Sequence, residues 1–123
     1  MNIRNFALTY FRTFEEKNLE SLSNMFDENV TLKDWNIYAE GRDAVVEANQ
    51  NIFDSIESLT VEVQSLHIDR LTVVAEVIIK VPGEPDLPVV DVIRFTTIPS
   101  SKAEHEVCGG EFKIGSIVAY RGN

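Results

Sequence analysis

The 123-residue chain carries 11 basic and 20 acidic residues, which gives a formal net charge of −9 at pH 7. Such an acidic surface repels phosphate backbones and anionic lipids, which argues against nucleic acid and membrane partners. Cys108 is the only cysteine, so an intrachain disulfide is impossible and the fold does not depend on an oxidising compartment. No apolar run reaches membrane-spanning length and the first residues lack a signal-peptide core, so we expect a single cytoplasmic domain over residues 1–123.

Two helices and a strand are predicted at the start of the chain. The first helix should run from Ile3 to Lys17, because its apolar residues recur at the spacing of one helical face: Ile3, Phe6, Ala7, Tyr10, Phe11 and Phe14. A shorter helix follows, with a buried side made by Leu19, Leu22, Met25 and Phe26. The stretch Asp27–Asn29 should end this helix in a turn, and Val30–Trp35 then alternates as a strand.

The middle of the chain predicts a loop, a helix and two strands. Asn36–Glu40 is interpreted as the loop, and a third helix opens after it with Asp43 as its N-cap. Leu59–Asp69 is a strand whose apolar positions switch phase after Val63, which indicates a β-bulge. Leu71–Val81 is a second, longer strand with a strongly apolar sequence.

The end of the chain is mostly strand. Val89–Phe95 and Phe112–Arg121 are predicted strands, while Pro99–Gly110 between them is polar and predicts a loop or a long hairpin tip. The element order ααβαββββ predicts an α+β fold, in which a cone-shaped, curved and mostly antiparallel sheet wraps around the long first helix as a cystatin-like roll. A strongly bent sheet with helices on its concave side encloses a cavity, which is a natural ligand site.

Asp91 interrupts an apolar strand face. Because side chains alternate along a strand, Asp91 shares its face with Val89, Ile93 and Phe95. A lone ionised carboxylate there is costly, so it must be paired, hydrated in a cavity or held protonated. Two interpretations follow: an edge position where the side chain reaches water, or a carboxylic acid aimed into a pocket.

Tyr10 and Asp34 repeat this pattern on other elements. Tyr10 lies at the centre of the first helical stripe, as either a core tyrosine with a backbone partner or a phenol that faces a cavity. Asp34 continues the apolar face of Val30 and Leu32, where an exposed, turn-forming aspartate is the alternative. Because burying three polar groups without a purpose is costly, we interpret them as converging on one cavity.

Several motifs resemble the nuclear-transport-factor-2-like superfamily. These are the element order, the helix start Gly41-Arg42-Asp43-Ala44-Val45 and the final run from Lys113 to Gly122. Within the superfamily, the chain resembles the branch of the ketosteroid isomerases and SnoaL-like polyketide cyclases. The run from Tyr10 to Asp34 is similar to the isomerase pattern without a gap. The run that begins at Asp91 resembles the Asp-x-Phe-Arg-Phe strand of that family.

The resemblance implies a cofactor-independent isomerase that moves a proton on a hydrophobic ketone. It assigns Asp34 as the general base, and Tyr10 and a protonated Asp91 as the hydrogen-bond donors of the oxyanion hole. It implies no metal or organic cofactor. The expected partners are a small hydrophobic ketone and a second copy of the chain in a homodimer. The residues expected to line the pocket are Phe6, Phe14, Leu32, Trp35, Asn49, Phe53, Ile93 and Val118.

The chain departs from the isomerases at three places. Trp35 stands where they have proline, Asn49 falls where efficient isomerases have a supporting tyrosine, and Pro99–Gly110 is longer than their usual tight turn. Two alternatives therefore stay open. One is a non-catalytic module of the same fold that binds a small hydrophobic ligand or dimerises. The other is a related hydro-lyase or epoxide hydrolase with different polar groups.

Other candidate sites carry less signal. His67 and Asp69 could share a strand face as a base and its orienting carboxylate, although such a histidine is more often structural. Cys108 has only His105 as a cationic neighbour, so we do not expect a reactive thiol. The sequence has no metal-ligand spacing, phosphate-binding glycine loop or Ser/His/Asp order.

Overall fold

The computed structural model describes residues 2–97 and 112–122, so the predicted loop Pro99–Gly110 lies outside the described residues. The described helices are α1 (Ile3–Glu15), α2 (Leu19–Met25) and α3 (Arg42–Asp54). The described strands are β1 (Phe26–Lys33), β2 (Tyr38–Glu40), β3 (Thr60–Asp69), β4 (Thr72–Lys80), β5 (Leu87–Thr97) and β6 (Phe112–Arg121). The predicted α+β class, with helices against a curved and mostly antiparallel sheet, is confirmed. None of these three helices has the length and apolar character that crossing a bilayer requires.

The six described strands form one sheet in the order β2-β1-β6-β5-β4-β3. Neighbouring strands are antiparallel except β1 and β6, which run parallel. In that parallel pair, Leu32 is paired with Ile117 and Lys33 with Val118. β6 therefore connects the two parts of the sheet that the rest of the chain builds separately.

The first helix supplies a large part of the core. α1 begins after Asn2, whose side-chain oxygen accepts a hydrogen bond from the N–H of Asn5 (2.8 Å), as an N-cap residue should. Its apolar stripe is buried as predicted, with Phe6, Ala7, Tyr10 and Phe11 in the core cluster. The carboxylate of Glu15 accepts a hydrogen bond from the N–H of Val61 (2.7 Å), which fixes the end of α1 against the start of β3.

Lys17 turns the chain from α1 into α2. Its φ of +57° is left-handed, so the helix ends at Glu15 rather than at the predicted Lys17. The Lys17 ammonium donates hydrogen bonds to the carbonyl oxygens of Phe53, Ile56 and Glu57, at 3.1, 2.5 and 2.9 Å. These carbonyls lie at the C-terminal end of α3, where the helix dipole favours a cation. The contact therefore ties the end of α3 to the α1–α2 junction.

Three local predictions are wrong because pairing and backbone geometry override local signals. Asp27–Asn29 is not a turn but part of β1, which begins at Phe26 because that residue pairs with β6. The predicted loop Asn36–Glu40 contains β2, which forms by antiparallel pairing with β1. The N-cap of α3 is Gly41, whose φ of +91° suits glycine, while Asp43 lies in the first turn.

Register shifts interrupt three of the strand pairs: β1 with β6, β3 with β4, and β5 with β6. The predicted bulge in β3 is confirmed by a register shift directly after Val63. Another register shift lies where β5 pairs with β6, and the sequence did not predict it. Gly115, between Ile114 and Ser116, is the extra residue of this bulge. A Cβ atom at Gly115 would lie 2.7 Å from Cγ2 of Thr96, so a larger residue requires the Thr96 side chain to move.

Candidate active site

A cavity of about 300 Å³ lies between the concave face of the sheet and helices α1 and α3. Its wall is mainly apolar and is built by both helices together with β1, β3, β4, β5 and β6. Apart from the indole of Trp35, the polar side chains in this wall are Tyr10, Asp34, Asn36, Asn49 and Asp91. The cavity thus brings together Tyr10, Asp34 and Asp91.

Asp91 is flanked by two small residues. It pairs with Ala75 of β4 and with Ala119 of β6. Because neither alanine extends far above the sheet, space is left beside the Asp91 carboxyl group, which borders the cavity. Burial, and secondly the negative charge of Asp34, raise the pKa of Asp91 to about 7. A large fraction of Asp91 therefore carries its proton near neutral pH and can donate a hydrogen bond.

Tyr10 presents a phenol to the same cavity. Its side chain is only 5% exposed, and its ring packs against Phe11 and Phe14 at centroid distances of 5.3 and 6.3 Å. Burial, and secondly the charge of Asp91, raise the pKa of Tyr10, so the hydroxyl stays protonated at physiological pH. Within residues 2–97 and 112–122 this hydroxyl has no hydrogen-bond partner and is not sealed off by protein. It is open to a ligand.

Asp34 follows β1 and forms a tight turn. Its Oδ1 accepts hydrogen bonds from the backbone N–H groups of Asn36 and Ile37, both at 2.7 Å. Its own N–H donates to the carbonyl of Ile37 at 2.9 Å. The turn-forming and the cavity-lining interpretations of Asp34 therefore both hold, because the turn uses one carboxylate oxygen. The other oxygen has no hydrogen-bond partner in the described part of the chain, so it can accept a proton.

The three groups influence one another electrostatically. The charge of Asp34 raises the pKa of Asp91, and the charge of Asp91 raises the pKa of Tyr10. Such effects require short separations with little screening by water. The cavity therefore holds one proton acceptor near two hydrogen-bond donors. This arrangement can remove a proton from carbon and stabilise the oxyanion that results.

Four residues that were expected to line the pocket do border the cavity, namely Phe14, Leu32, Trp35 and Asn49. Phe6, Phe53 and Ile93 do not, because they belong to the packed core behind it. Phe6 packs edge-on against Phe95 at a centroid distance of 5.3 Å, and Ile93 has no exposed surface. Phe53 lies behind Phe14, at a centroid distance of 5.1 Å.

Val118 lies outside the cavity for a different reason. Simple alternation along β6 places Val118 on the same face as Ile114. The extra residue Gly115 shifts this phase, so that Ile114 and Ile117 are both buried and Ala119 borders the cavity. Ala119 is therefore a site residue that the sequence analysis missed. A glycine within a strand was the available signal, since it often marks a bulge.

Trp35 lies where the cavity wall meets the protein surface, and it contacts Arg121. Trp35 borders the cavity but is 39% exposed. The guanidinium carbon of Arg121 lies 5.9 Å from the centre of the Trp35 ring, which is within cation–π range. Because Trp35 is the only tryptophan of the chain, its fluorescence reports on the cavity.

The remaining candidates lie away from this site. His67 and Asp69 are exposed near the end of β3 and do not border the cavity. Cys108 lies outside the described residues. Across residues 2–97 and 112–122, no group of three or more His, Cys, Asp or Glu side chains is arranged to hold a metal ion.

Solved structures with the same fold come from several organisms. A candidate ketosteroid isomerase from Kribbella flavida is 17% identical, with a TM-score of 0.74, over 98% of this chain and 78% of that protein. A candidate SnoaL-like polyketide cyclase from Shewanella denitrificans is 13% identical, with a TM-score of 0.73, over 98% and 90%. Nuclear transport factor 2 from Cryptosporidium parvum is 13% identical, with a TM-score of 0.74, over 97% and 90%. At these identities the likeness establishes the fold alone.

Sequence comparison identifies the family. No curated protein matches the chain. The family model of the SnoaL-like domain matches residues 7–97, which include Tyr10, Asp34 and Asp91. The match covers most of the chain and agrees with the structural neighbours. The chain therefore belongs to the SnoaL-like domain family, and it shares its fold with nuclear transport factor 2 and the candidate ketosteroid isomerase.

Proposed function

We propose that this protein is a cofactor-independent isomerase that moves a proton on a hydrophobic ketone. The observation that carries the proposal is the presence of Tyr10, Asp34 and Asp91 in one apolar cavity, where burial raises the pKa of Asp91 to about 7. A neutral carboxylic acid and a phenol donate hydrogen bonds to an oxyanion, whereas an ionised aspartate repels it.

The reaction begins at the Asp34 carboxylate, which takes a proton from the carbon between the ketone and an isolated double bond. The electron pair of that C–H bond moves into the conjugated system, and the ketone oxygen becomes the oxyanion of a dienolate. Tyr10 and the neutral Asp91 donate hydrogen bonds to this oxyanion. The Asp34 carboxyl then returns the proton to the far carbon of the dienolate. The product is the conjugated ketone, and Asp34 is again ionised.

The turn around Asp34 favours this role. Two backbone N–H groups, from Asn36 and Ile37, hold its Oδ1, so the carboxylate has a fixed position rather than a range of rotamers. Fixed positioning of the base near the reacting carbon is one of the larger contributions to enzymatic rates. The mainly apolar wall supplies the second requirement, because exclusion of water strengthens every hydrogen bond to the oxyanion.

The test is an ultraviolet assay for conjugation of a β,γ-unsaturated ketosteroid, with a smaller bicyclic β,γ-unsaturated ketone alongside it. The variant to compare is Asp34→Asn, since its amide oxygen still accepts both backbone hydrogen bonds of the turn. Asp69→Asn is the matched control, because Asp69 is exposed and borders no part of the cavity. We expect Asp34→Asn to lose activity by at least about a thousandfold, and Asp69→Asn to keep it.

Turnover that survives in Asp34→Asn would remove Asp34 as the base. Absence of turnover in the wild type, with ketones still binding, would favour the non-catalytic alternative, in which the cavity only holds a small hydrophobic ligand.

We also propose that two copies associate through the convex face of the sheet. Val74, Val92 and Val118 form a row across β4, β5 and β6, and each is only partly buried. Tyr120, near the same row, is 60% exposed. An apolar row on an open sheet face is typical of a protein interface. Sedimentation equilibrium should give a dimer for the wild type and a monomer for Val92→Lys, while a monomeric wild type would contradict the proposal.

A further inference from the structure

Asn49 is a buried polar residue of the cavity wall that the proposed reaction does not use. It lies on α3 between Val45 and Phe53, and it is only 3% exposed. A buried amide normally has all its hydrogen-bonding groups paired, because an unpaired group costs on the order of 1 to 3 kcal/mol. Asn49 departs from this rule.

The hydrogen bonds of Asn49 leave its oxygen free. Its Nδ2 donates to the carbonyl of Val45 at 2.9 Å, which sets the orientation of the amide because a carbonyl can only accept. The side-chain oxygen accepts no hydrogen bond from residues 2–97 and 112–122. In this part of the chain, the one unpaired polar side-chain atom without solvent contact is Nε of Arg42. The Asn49 oxygen therefore reaches open space, and the space that Asn49 borders is the cavity.

The acceptor is not needed for the proton transfer. The base is Asp34, and the donors to the oxyanion are Tyr10 and Asp91, so a further acceptor has no partner on a plain ketone. If a hydrocarbon part of the ligand packed against Asn49, the side-chain oxygen would lose contact with water without gaining a hydrogen bond, which costs binding free energy. A hydroxyl group on the ligand would satisfy it.

We infer that Asn49 is a specificity-determining residue that selects a ketone carrying a second polar group, a hydroxyl, in addition to the reacting carbonyl. The inference rests on the proposed function only in that the cavity takes a hydrophobic ketone. Sites that are built to hydrogen-bond a ligand hydroxyl reject the analogue that lacks it far more strongly than apolar pockets reject a missing methylene. The substrate class is thus a hydroxylated ketone rather than a pure hydrocarbon ketone.

The experiment compares two matched pairs of ketones that lack an isolated β,γ double bond, so the proposed reaction does not consume them. One pair is a conjugated ketosteroid with and without a ring hydroxyl. The other pair is a bicyclic aryl ketone with and without a ring hydroxyl. Dissociation constants come from the fluorescence of Trp35 and, independently, from titration calorimetry. The proteins are the wild type, Asn49→Leu, Asn49→Ala and the control Asn51→Leu, whose exposed side chain lies outside this cavity.

We expect the wild type and Asn51→Leu to bind the hydroxylated member of at least one pair roughly 10- to 100-fold more tightly. In Asn49→Leu and Asn49→Ala this ratio should fall to near one, while the plain ketone binds as well as before or better. A merely structural role of the Val45 hydrogen bond would lower the stability of both variants without changing the ratio. Asn49→Ala keeps the test valid if leucine does not fit.

Equal binding of both members of each pair by the wild type would overturn the inference, and so would a preference that survives in both Asn49 variants. The result is separable from the proposed chemistry. A hydroxyl preference that depends on Asn49, in a protein without isomerase activity, would support the inference and reject the proposed reaction. Isomerase activity without a hydroxyl preference would do the opposite.

Discussion

Asp34 and Asp91 border the same cavity although their strands are not neighbours. Asp34 follows β1, Asp91 lies on β5, and β6 separates the two strands. The charge of Asp34 nevertheless contributes to the raised pKa of Asp91, after burial, which is the larger cause. Two carboxyl groups with different environments can take opposite roles, one as an ionised base and the other as a neutral donor.

The pH dependence of the rate should report on Asp91. Its pKa of about 7 means that it is protonated below neutral pH and ionised above it. If the neutral form is the donor, kcat/KM should fall as the pH rises above about 7, approaching tenfold per pH unit. Replacing Asp91 with Asn should remove this descending limb, because the amide donates at every pH. A wild-type profile that stays flat to about pH 9 would contradict the role of neutral Asp91.

The stability of the fold should depend on Asp91 with a defined sign. The pKa of this group is raised from 3.8 to about 7 in the folded state, so the folded protein holds the proton more tightly than the unfolded chain. This contribution to stability is complete below about pH 4 and is lost as the pH rises towards 7. We expect the loss to reach about 2 to 3 kcal/mol between pH 5 and pH 8.

Urea denaturation of the wild type and Asp91→Asn at several pH values measures this difference. The variant should lose less stability over the interval and be the more stable protein at pH 8. Parallel curves for the two proteins would show that Asp91 does not titrate in this range.

Ala119 controls the space beside Asp91. A leucine there would fill the volume that the alanine leaves next to the carboxyl group, with which Ala119 is paired across the strands. We expect Ala119→Leu to weaken ketone binding by at least about tenfold, with little change in melting temperature. Val118→Leu is the control, because its side chain lies on the other face of the sheet. Calorimetric titration of a conjugated ketone measures both variants, and equal weakening in the two would contradict this assignment of faces.

Lys17 should contribute to stability through its ammonium group. Lys17→Met keeps the apolar part of the side chain but removes three hydrogen bonds to the end of α3. We expect the free energy of unfolding to fall by about 2 kcal/mol, because the carbonyls lose a charged donor and the helix end loses its cation. Lys33→Met, on an exposed position of β1, should change stability by less than about 0.5 kcal/mol. Chemical denaturation distinguishes the two cases.

Local periodicity was sufficient to predict much of this fold. The buried stripe of α1 follows from the 3.6-residue period of a helix, and the inward orientation of Asp91 follows from the two-residue period of a strand. Tyr10, Asp34 and Asp91 were singled out because each breaks an apolar face. Their convergence on one cavity follows from the cost of burying three polar groups and from the family resemblance, since periodicity does not say which faces meet.

Features that depend on pairing were not predictable in the same way. β2 exists because β1 offers it a partner, and its own sequence is typical of a loop. One extra residue in β6, Gly115, exchanges the faces of Val118 and Ala119. The strand was therefore predicted correctly, but Val118 was wrongly predicted to line the pocket in place of Ala119. The free oxygen of Asn49 could not be predicted either, because it depends on which acceptor its amide nitrogen finds.

The position of β6 has a consequence for synthesis on the ribosome. β1 and β2 emerge early, and β3, β4 and β5 follow as a separate meander, but the two parts share no strand pair until β6 is inserted between them. Until then, β1 and β5 each present an unpaired edge on which another chain could add a strand. The nascent protein therefore depends on one late, non-local step, and the proposed base Asp34 meets the proposed donor Asp91 only when that step is complete.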